Sequence, residues 1–249
     1  MSTLQDHLTR DPIRAAVWGV SGSAKTTLLG MAAQFEELYP MYIADFDRRV
    51  SSLRARIPKE YWDRIHTDSY DDKGVQGNAW TTWEAKIQRL ESEGYKTVCM
   101  DSMTFALDAA MARVLMLDGN KPATMNPQLQ HYLTQQSMVK DILVRLCSKK
   151  FNFLCTFHEG TDKDEISGRL FKAFAVTGKL AERVPGYFNE IWHCEVVVDV
   201  EGGSAYRVRT RSDMTYAART TFKTLKTVEF QDQIWPKVLA EIKAEKVTT

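Results

Sequence analysis

The sequence predicts an α/β fold: a mostly parallel twisted sheet flanked by helices, with a C-terminal antiparallel hairpin extending one edge. Three observations carry this. Strand-like and helix-like segments alternate along most of the chain, the pattern of parallel strands joined by crossover helices. The first apolar strand runs straight into a glycine-bearing loop and then a helix. In the last third two extended runs meet at Gly202-Gly203, which reads as a hairpin.

The elements follow in order. Residues 13–18 (IRAAVW) form a short apolar strand, and a helix over 26–38 follows, closed by Tyr39-Pro40. A second strand over 41–44 ends in Asp45-Phe46-Asp47, and residues 64–67 form a short third one. Trp80, Trp83, Ile87 and Leu90 recur at helical spacing within a helix over 79–93, which Gly94 stops in the C-cap position. A strand over 96–100 delivers Asp101-Ser102, and a helix over 104–117 follows, then the turn-rich DGNKPATMNP. Residues 129–149 are helical, and the almost wholly apolar strand over 151–157 ends in His158. A polar loop is expected over 159–179, a long strand over 190–200 and its return over 206–211. A final helix over 236–245 carries a proline in its first turn.

The 249 residues are 44% hydrophobic and 26% charged, which suits one domain over 1–249, with a core over about 12–212 and an embellishment over 213–249. The net charge of +1, from 33 basic and 32 acidic side chains, makes any electrostatic argument about partners a local one. Cys99, Cys155 and Cys194 sit in apolar runs and no C-x-x-C pair occurs, so buried free thiols are expected rather than zinc or disulfides. No apolar run reaches the roughly 18–20 residues that span a bilayer. The N-terminal MSTLQDHLTRDP lacks an apolar secretion segment. A soluble cytoplasmic protein is expected, with no membrane partner.

The chemistry concentrates in Gly19-Val-Ser21-Gly22-Ser23-Ala24-Lys25-Thr26-Thr27, between a strand and a helix. A polyphosphate needs backbone N–H donors, a helix N-terminus, a lysine for the β- and γ-phosphates and a hydroxyl for Mg²⁺. Gly19 and Gly22 allow the tight turns, Ser21, Ser23 and Ala24 complete the loop, and Lys25, Thr26 and Thr27 open the helix. Against G-x-x-x-x-G-K-[ST], Ala24 stands where the glycine before the lysine is usual. An apolar strand ending in Asp101, directly before Ser102, is the expected Walker B carboxylate, which with Thr26 would hold Mg²⁺. Phosphoryl transfer also needs an oriented water and compensation of oxygen charge; Asp47 and His158 are the candidates.

These pieces together resemble the RecA-type P-loop ATPases, and among them the small phage ATP-binding proteins of single-strand annealing recombination. The likeness spans roughly residues 12–212 and rests on the loop at Gly19–Thr27, Asp45-Phe46-Asp47, Met100-Asp101-Ser102 and the apolar strand before His158. It implies a RecA-like core using ATP and Mg²⁺. In it Asp47, where RecA has glutamate, would activate water, and His158 would sense the γ-phosphate. It also implies a ring or filament of identical subunits with ATP at their interfaces, with Arg209 and Arg211 reaching the neighbour's nucleotide. The segment after His158 occupies the place of a DNA-binding loop. There Lys163, Arg169, Phe171 and Lys172, with Phe174 and Lys179, combine cations for phosphates with aromatic faces for bases. Single-stranded DNA and a phage single-strand-binding protein are the partners the resemblance implies, in the cytoplasm of a host cell. The alternatives are a helicase- or packaging-like DNA motor, a non-catalytic nucleotide-dependent assembly protein, for which Ala24 argues, and a small-molecule kinase.

Overall fold

In the computed structural model, which describes residues 12–72, 76–119, 121–122, 125–163, 168, 170–198 and 202–248, the chain is organised around a sheet of nine strands among those residues. They are β1 (Arg14–Gly19), β2 (Met41–Asp45), β3 (Ile65–Ser69), β4 (Thr97–Asp101), β5 (Asn152–Lys163), β6 (Leu170–Phe174), β7 (Glu190–Val198), β8 (Ser204–Arg209) and β9 (Val228–Phe230). The helices are α1 (Lys25–Met31), α2 (Asn78–Ile87), α3 (Met103–Leu117), α4 (Leu129–Cys147), the short α5 (Leu180–Arg183) and α6 (Gln231–Thr248).

The strand order is β3-β2-β4-β5-β1-β7-β8-β9. Every pairing from β3 to β7 is parallel; β7 with β8 and β8 with β9 are antiparallel. The fold class is therefore the expected one, a mostly parallel sheet flanked by helices with a hairpin at one edge. β1, β2 and β4 are buried along their whole lengths, as continuous apolar runs covered on both faces should be. Alternation along β1 sends Ala16 and Trp18 into the core under α2, α3 and α4, and Ala15 and Val17 into the core under α1 and α6. Arg14 opens this buried strand because its guanidinium donates to the carbonyls of Cys147, Lys149 and Phe151 at the end of α4. A cation there also complements the helix dipole.

Several boundaries differ from expectation. The expected 159–179 loop is a β-hairpin: β5 runs on to Lys163 and β6 pairs antiparallel with it. Packing explains this, since Phe174 is buried and stacks on Phe157 with ring centroids 4.5 Å apart, its edge-on contact to Trp18 being 5.4 Å. α1 ends at Met31 and one turn of 3₁₀ helix over Ala32–Gln34 replaces its expected second half. α6 starts five residues before Pro236, so the proline lies inside the helix. β8 ends at Arg209, where Ser212 turns the chain through its hydroxyl contacts with the backbone of Ala218, so Arg211 is beyond the strand. β9, which pairs with β8, was not expected at all. The four cysteines are free, with Cys99, Cys155 and Cys194 buried. Among the described residues no helix is long and apolar enough to cross a membrane.

Candidate active site

The loop between β1 and α1 is shaped by three left-handed residues. Gly19 stands at φ 150°, where an added Cβ would lie 2.2 Å from the Cys194 carbonyl oxygen, so no side chain fits. Gly22 stands at φ 83° and Ala24, the residue before α1, at φ 61°. Ala24 thus takes the backbone conformation that the usual glycine supplies without cost, and its methyl group strains the loop from within. Lys25 folds back over the loop, its Nζ donating to the carbonyls of Gly19 at 2.9 Å and Val20 at 2.8 Å. Burial pushes its pKa below the ordinary lysine value, opposed by Cys194, Asp101 and Asp47 and assisted by Arg49.

Sheet order brings the acidic groups alongside. Gly19 pairs with His158 across β1 and β5, and Asp45 with Asp101 across β2 and β4, so the C-terminal ends of β1, β2 and β4 lie level with His158 in β5. Asp101 is only 1% exposed. Its Oδ2 accepts from Thr26 Oγ1 at 2.6 Å and its Oδ1 from the Thr156 hydroxyl. Burial raises its pKa to about 6, against the pull of Thr156 and Thr26, with Asp47 and Asp45 adding to the rise. Asp47 Oδ1 accepts from the Ser102 N–H at 3.0 Å and Oγ at 2.6 Å, and Oδ2 from His158 Nε2 at 3.0 Å. Burial alone would raise Asp47, but the hydrogen bonds from His158 and Ser102 prevail and hold it below the ordinary carboxylate range. His158 is fixed at its backbone by Thr104 Oγ1 at 3.0 Å and at its ring by Phe105, edge-on at 5.5 Å.

The loop residues Ser21, Gly22, Ala24, Lys25, Thr26 and Thr27 face Asp47 and His158 across a cleft of about 510 Å³, with Arg48, Arg49 and Arg56 on the same walls. Ser23 is buried under the loop, its hydroxyl donating to the Val20 carbonyl at 2.8 Å. The neutral Thr26 hydroxyl and the Asp101 carboxylate are hard oxygen donors already in contact, a set that suits Mg²⁺, which keeps several waters and shares substrate phosphates. Among the described residues no cluster of three or more His, Cys, Asp or Glu side chains forms a self-sufficient metal cage.

Other candidates lie elsewhere. Arg209 is held within its own chain, by Asp213 at 3.0 Å and Glu195 at 3.5 Å, with its guanidinium 5.7 Å over the Tyr216 ring. Arg211 is exposed and lies beyond the end of β8, so of the two arginines expected to reach a neighbour's nucleotide only Arg209 is on the strand. Lys163 is exposed at the end of β5, Phe171 is half-buried, and Lys172 pairs with Glu159 at 3.1 Å. Arg169 lies outside the described residues. Sequence reasoning missed Thr156, Thr104 and the arginines Arg48, Arg49 and Arg56. It also missed two contacts from α6: Gln231 Nε2 donates to the Ser23 carbonyl at 2.9 Å, and Trp235 Nε1 to that of Leu28 at 2.7 Å.

A buried lysine and a threonine after a glycine loop, with the Asp101 carboxylate at the end of a strand one removed in the sheet, form a cradle whose chemistry suits a polyphosphate and its metal ion. No family model matches the sequence and no curated protein matches it. Solved structures similar to the chain include three of different kinds. One is the ATPase EscN, assembled with its central stalk EscO in the type III secretion system of enteropathogenic E. coli, at 14% identity and TM-score 0.47; the likeness covers 74% of this chain, which spans 42% of EscN. Another is the RadB recombinase, at 12% identity and TM-score 0.48, covering 88% of this chain and 86% of that one. An uncharacterised protein of Pyrococcus horikoshii with a bound peptide matches at 7% identity and TM-score 0.44, over 85% of this chain and 86% of that one. At these identities and scores, the functional reading rests on the geometry of the site.

Proposed function

We propose that the chain is a single-domain, RecA-like, Mg²⁺-dependent ATPase that binds single-stranded DNA and promotes annealing in phage recombination. The observation that supports this most is the convergence of Lys25, Thr26, Asp47 and His158 on one cleft at the C-terminal ends of parallel strands, with Asp101 buried directly behind Thr26. Lys25 exchanges its two loop carbonyls for phosphate oxygens. Thr26 and Asp101 would hold Mg²⁺, which neutralises phosphate charge when bound. Asp47, kept ionised by Ser102 and His158, orients the attacking water. The water oxygen bonds to the γ-phosphorus, and the bond from that phosphorus to the bridging oxygen breaks, its electron pair leaving with ADP. One water proton is released by way of Asp47. His158, joined to Asp47, feels whether the γ-phosphate is present.

The DNA reading is carried by the hairpin, where Lys163 ends the strand that bears His158 and the paired strand offers Lys172 and the half-exposed ring of Phe171. A homo-oligomer places Arg209 and Arg211 towards a neighbouring subunit's nucleotide. ATP hydrolysis measured with and without single-stranded DNA tests the reading. Stimulation by DNA is expected, and loss of hydrolysis in Lys25→Ala and Asp101→Ala. Hydrolysis at the wild-type rate in either variant would place the active site elsewhere.

A further inference from the structure

We infer that Arg49 is a further catalytic residue, acting within its own chain: its guanidinium engages the terminal phosphate of the bound nucleotide. The inference rests on the nucleotide reading of the cleft and adds to it a cation that needs no neighbouring subunit.

The turn that carries Arg49 is built rigidly onto the site. The buried Asp45 carboxylate accepts from the Arg49 N–H at 3.1 Å and the Val50 N–H at 3.2 Å. The N–H groups of Phe46 and Asp47 both donate to the Asp101 carbonyl, at 2.6 and 3.1 Å. Between Asp47 and Arg49, Arg48 takes a left-handed conformation at φ 57°, which side chains other than glycine and asparagine rarely adopt. A strained residue held between two backbone anchors implies that the turn's shape matters. Its result is that Asp47 and Arg49 line one cleft with Lys25 and His158.

The guanidinium is already at the loop. Arg49 Nη1 donates to Ser21 Oγ at 3.0 Å, at the tip of the phosphate loop. Its charge is close enough to Lys25 to contribute to the lowering of that lysine's pKa. The two other arginines on these walls have stronger partners. Arg48 pairs with Asp71 at 3.2 Å, and Arg56 donates to the Tyr206 hydroxyl at 2.9 Å while lying 4.7 Å over its ring. Arg49 is held by the Ser21 hydroxyl, a neutral partner like the Tyr206 hydroxyl but without the ring stacking that adds to the hold on Arg56, and a phosphate group replaces it with a charge-assisted and bidentate one. A planar fork suits the spreading charge of the phosphoryl group in the transition state. Arg49 makes and breaks no covalent bond; it compensates charge on oxygens that the in-line displacement leaves exposed.

The test compares wild type with Arg49→Ala and Arg49→Lys in single-turnover ATP hydrolysis, and in binding of a non-hydrolysable ATP analogue and of ADP. Arg49→Ala should lower the hydrolysis rate by roughly 10²–10³-fold. It should weaken the ATP analogue about tenfold more than ADP, and Arg49→Lys should recover part of each loss. Because Arg49 is exposed, the variants should keep the wild-type melting temperature. Adding excess Lys25→Ala protein, whose Arg49 is intact, should not rescue Arg49→Ala; rescue would overturn action in cis. Wild-type hydrolysis with an unchanged analogue-to-ADP ratio in Arg49→Ala would overturn the assignment altogether. If wild type binds nucleotide without hydrolysing it, the ATPase reading fails while that ratio still decides Arg49. If wild type binds no nucleotide, both fall.

Discussion

Asp101 carries opposed demands. The proposed metal-holding role requires it ionised beside the Thr26 hydroxyl, but its burial raises the pKa from 3.8 to about 6. Because the folded pKa lies above the unfolded one, ionised Asp101 destabilises the nucleotide-free protein. That penalty is fully present above about pH 6, shrinks as pH falls and is gone below about pH 4. Asp101→Asn should therefore stabilise the empty protein by roughly 1–2 kcal/mol at pH 8 and much less at pH 4.5, while abolishing hydrolysis. Thermal melts at the two pH values check this, and equal shifts at both would show that the carboxylate is not strained. Ala24 makes a similar case on the backbone. The left-handed conformation costs a non-glycine residue about 1–2 kcal/mol, and glycine's greater unfolded freedom returns about half of that. Ala24→Gly should raise stability by roughly 0.5–1 kcal/mol and leave nucleotide affinity equal or higher, readable by denaturant titration and nucleotide binding. A loss in both would mean that the methyl group makes a contact the loop depends on.

At the scale of elements, α6 braces the phosphate loop rather than decorating the fold. Gln231 holds the Ser23 carbonyl, while Trp235 holds that of Leu28 and packs on Trp192 with centroids 5.6 Å apart. Trp235→Ala should cost about 3–5 kcal/mol, measured by urea unfolding, and nucleotide should restore part of that stability by mass action. A variant as stable as wild type would make α6 dispensable. Sequence reasoning treated residues 213–249 as an edge addition, because a contact 208 residues distant leaves no local pattern. Pro236 then drew the helix start five residues late, since proline most often marks a first turn. The central strands were readable because burial on both faces demands continuous apolar runs. Lys25 and Thr26 were readable as candidates because they belong to one local motif, and Asp101 because it ends an apolar strand directly before a helix. Thr156 was not: its hydroxyl meets Asp101 only because the strand order puts β5 beside β4. The β5–β6 hairpin looked like a loop because its polar outer positions hide one buried residue, Phe174.

Across the whole molecule, β5 links two regions that would otherwise be independent. His158 joins Asp47 at the cleft, and the next residue, Glu159, joins His193 Nε2 at 3.1 Å and Lys172 at 3.1 Å. His193 is buried, packed between Tyr216 at 4.1 Å and Trp18 at 4.6 Å, so Glu159 is anchored in the core while Lys172 stands on the hairpin. On the proposed reading, a shift of His158 on meeting a γ-phosphate would pass through Glu159 to Lys172 on the paired strand, one of the cations proposed to meet DNA. Linkage then requires reciprocity: ATP should tighten single-stranded DNA binding by the same factor as DNA tightens ATP binding. Removing Lys163 and Lys172 should weaken DNA binding and reduce its salt dependence, by roughly 0.7 in slope for each lost phosphate contact. Phe171→Ala should cost roughly 1–3 kcal/mol of DNA binding if a base stacks there, whereas Phe174→Ala, in the core, should lower the melting temperature and leave the DNA affinity of the folded protein unchanged. Glu159→Gln separates coupling from contact, since it frees Lys172 for phosphate but cuts the path to the cleft: DNA should bind as well or better, and ATP should no longer tighten it. Fluorescence anisotropy of a labelled oligonucleotide across a salt series, with and without a non-hydrolysable ATP analogue, reads all of these. An unchanged salt slope in the lysine variant would remove the hairpin as the DNA site, and full coupling in Glu159→Gln would show that the two ligands communicate by another route.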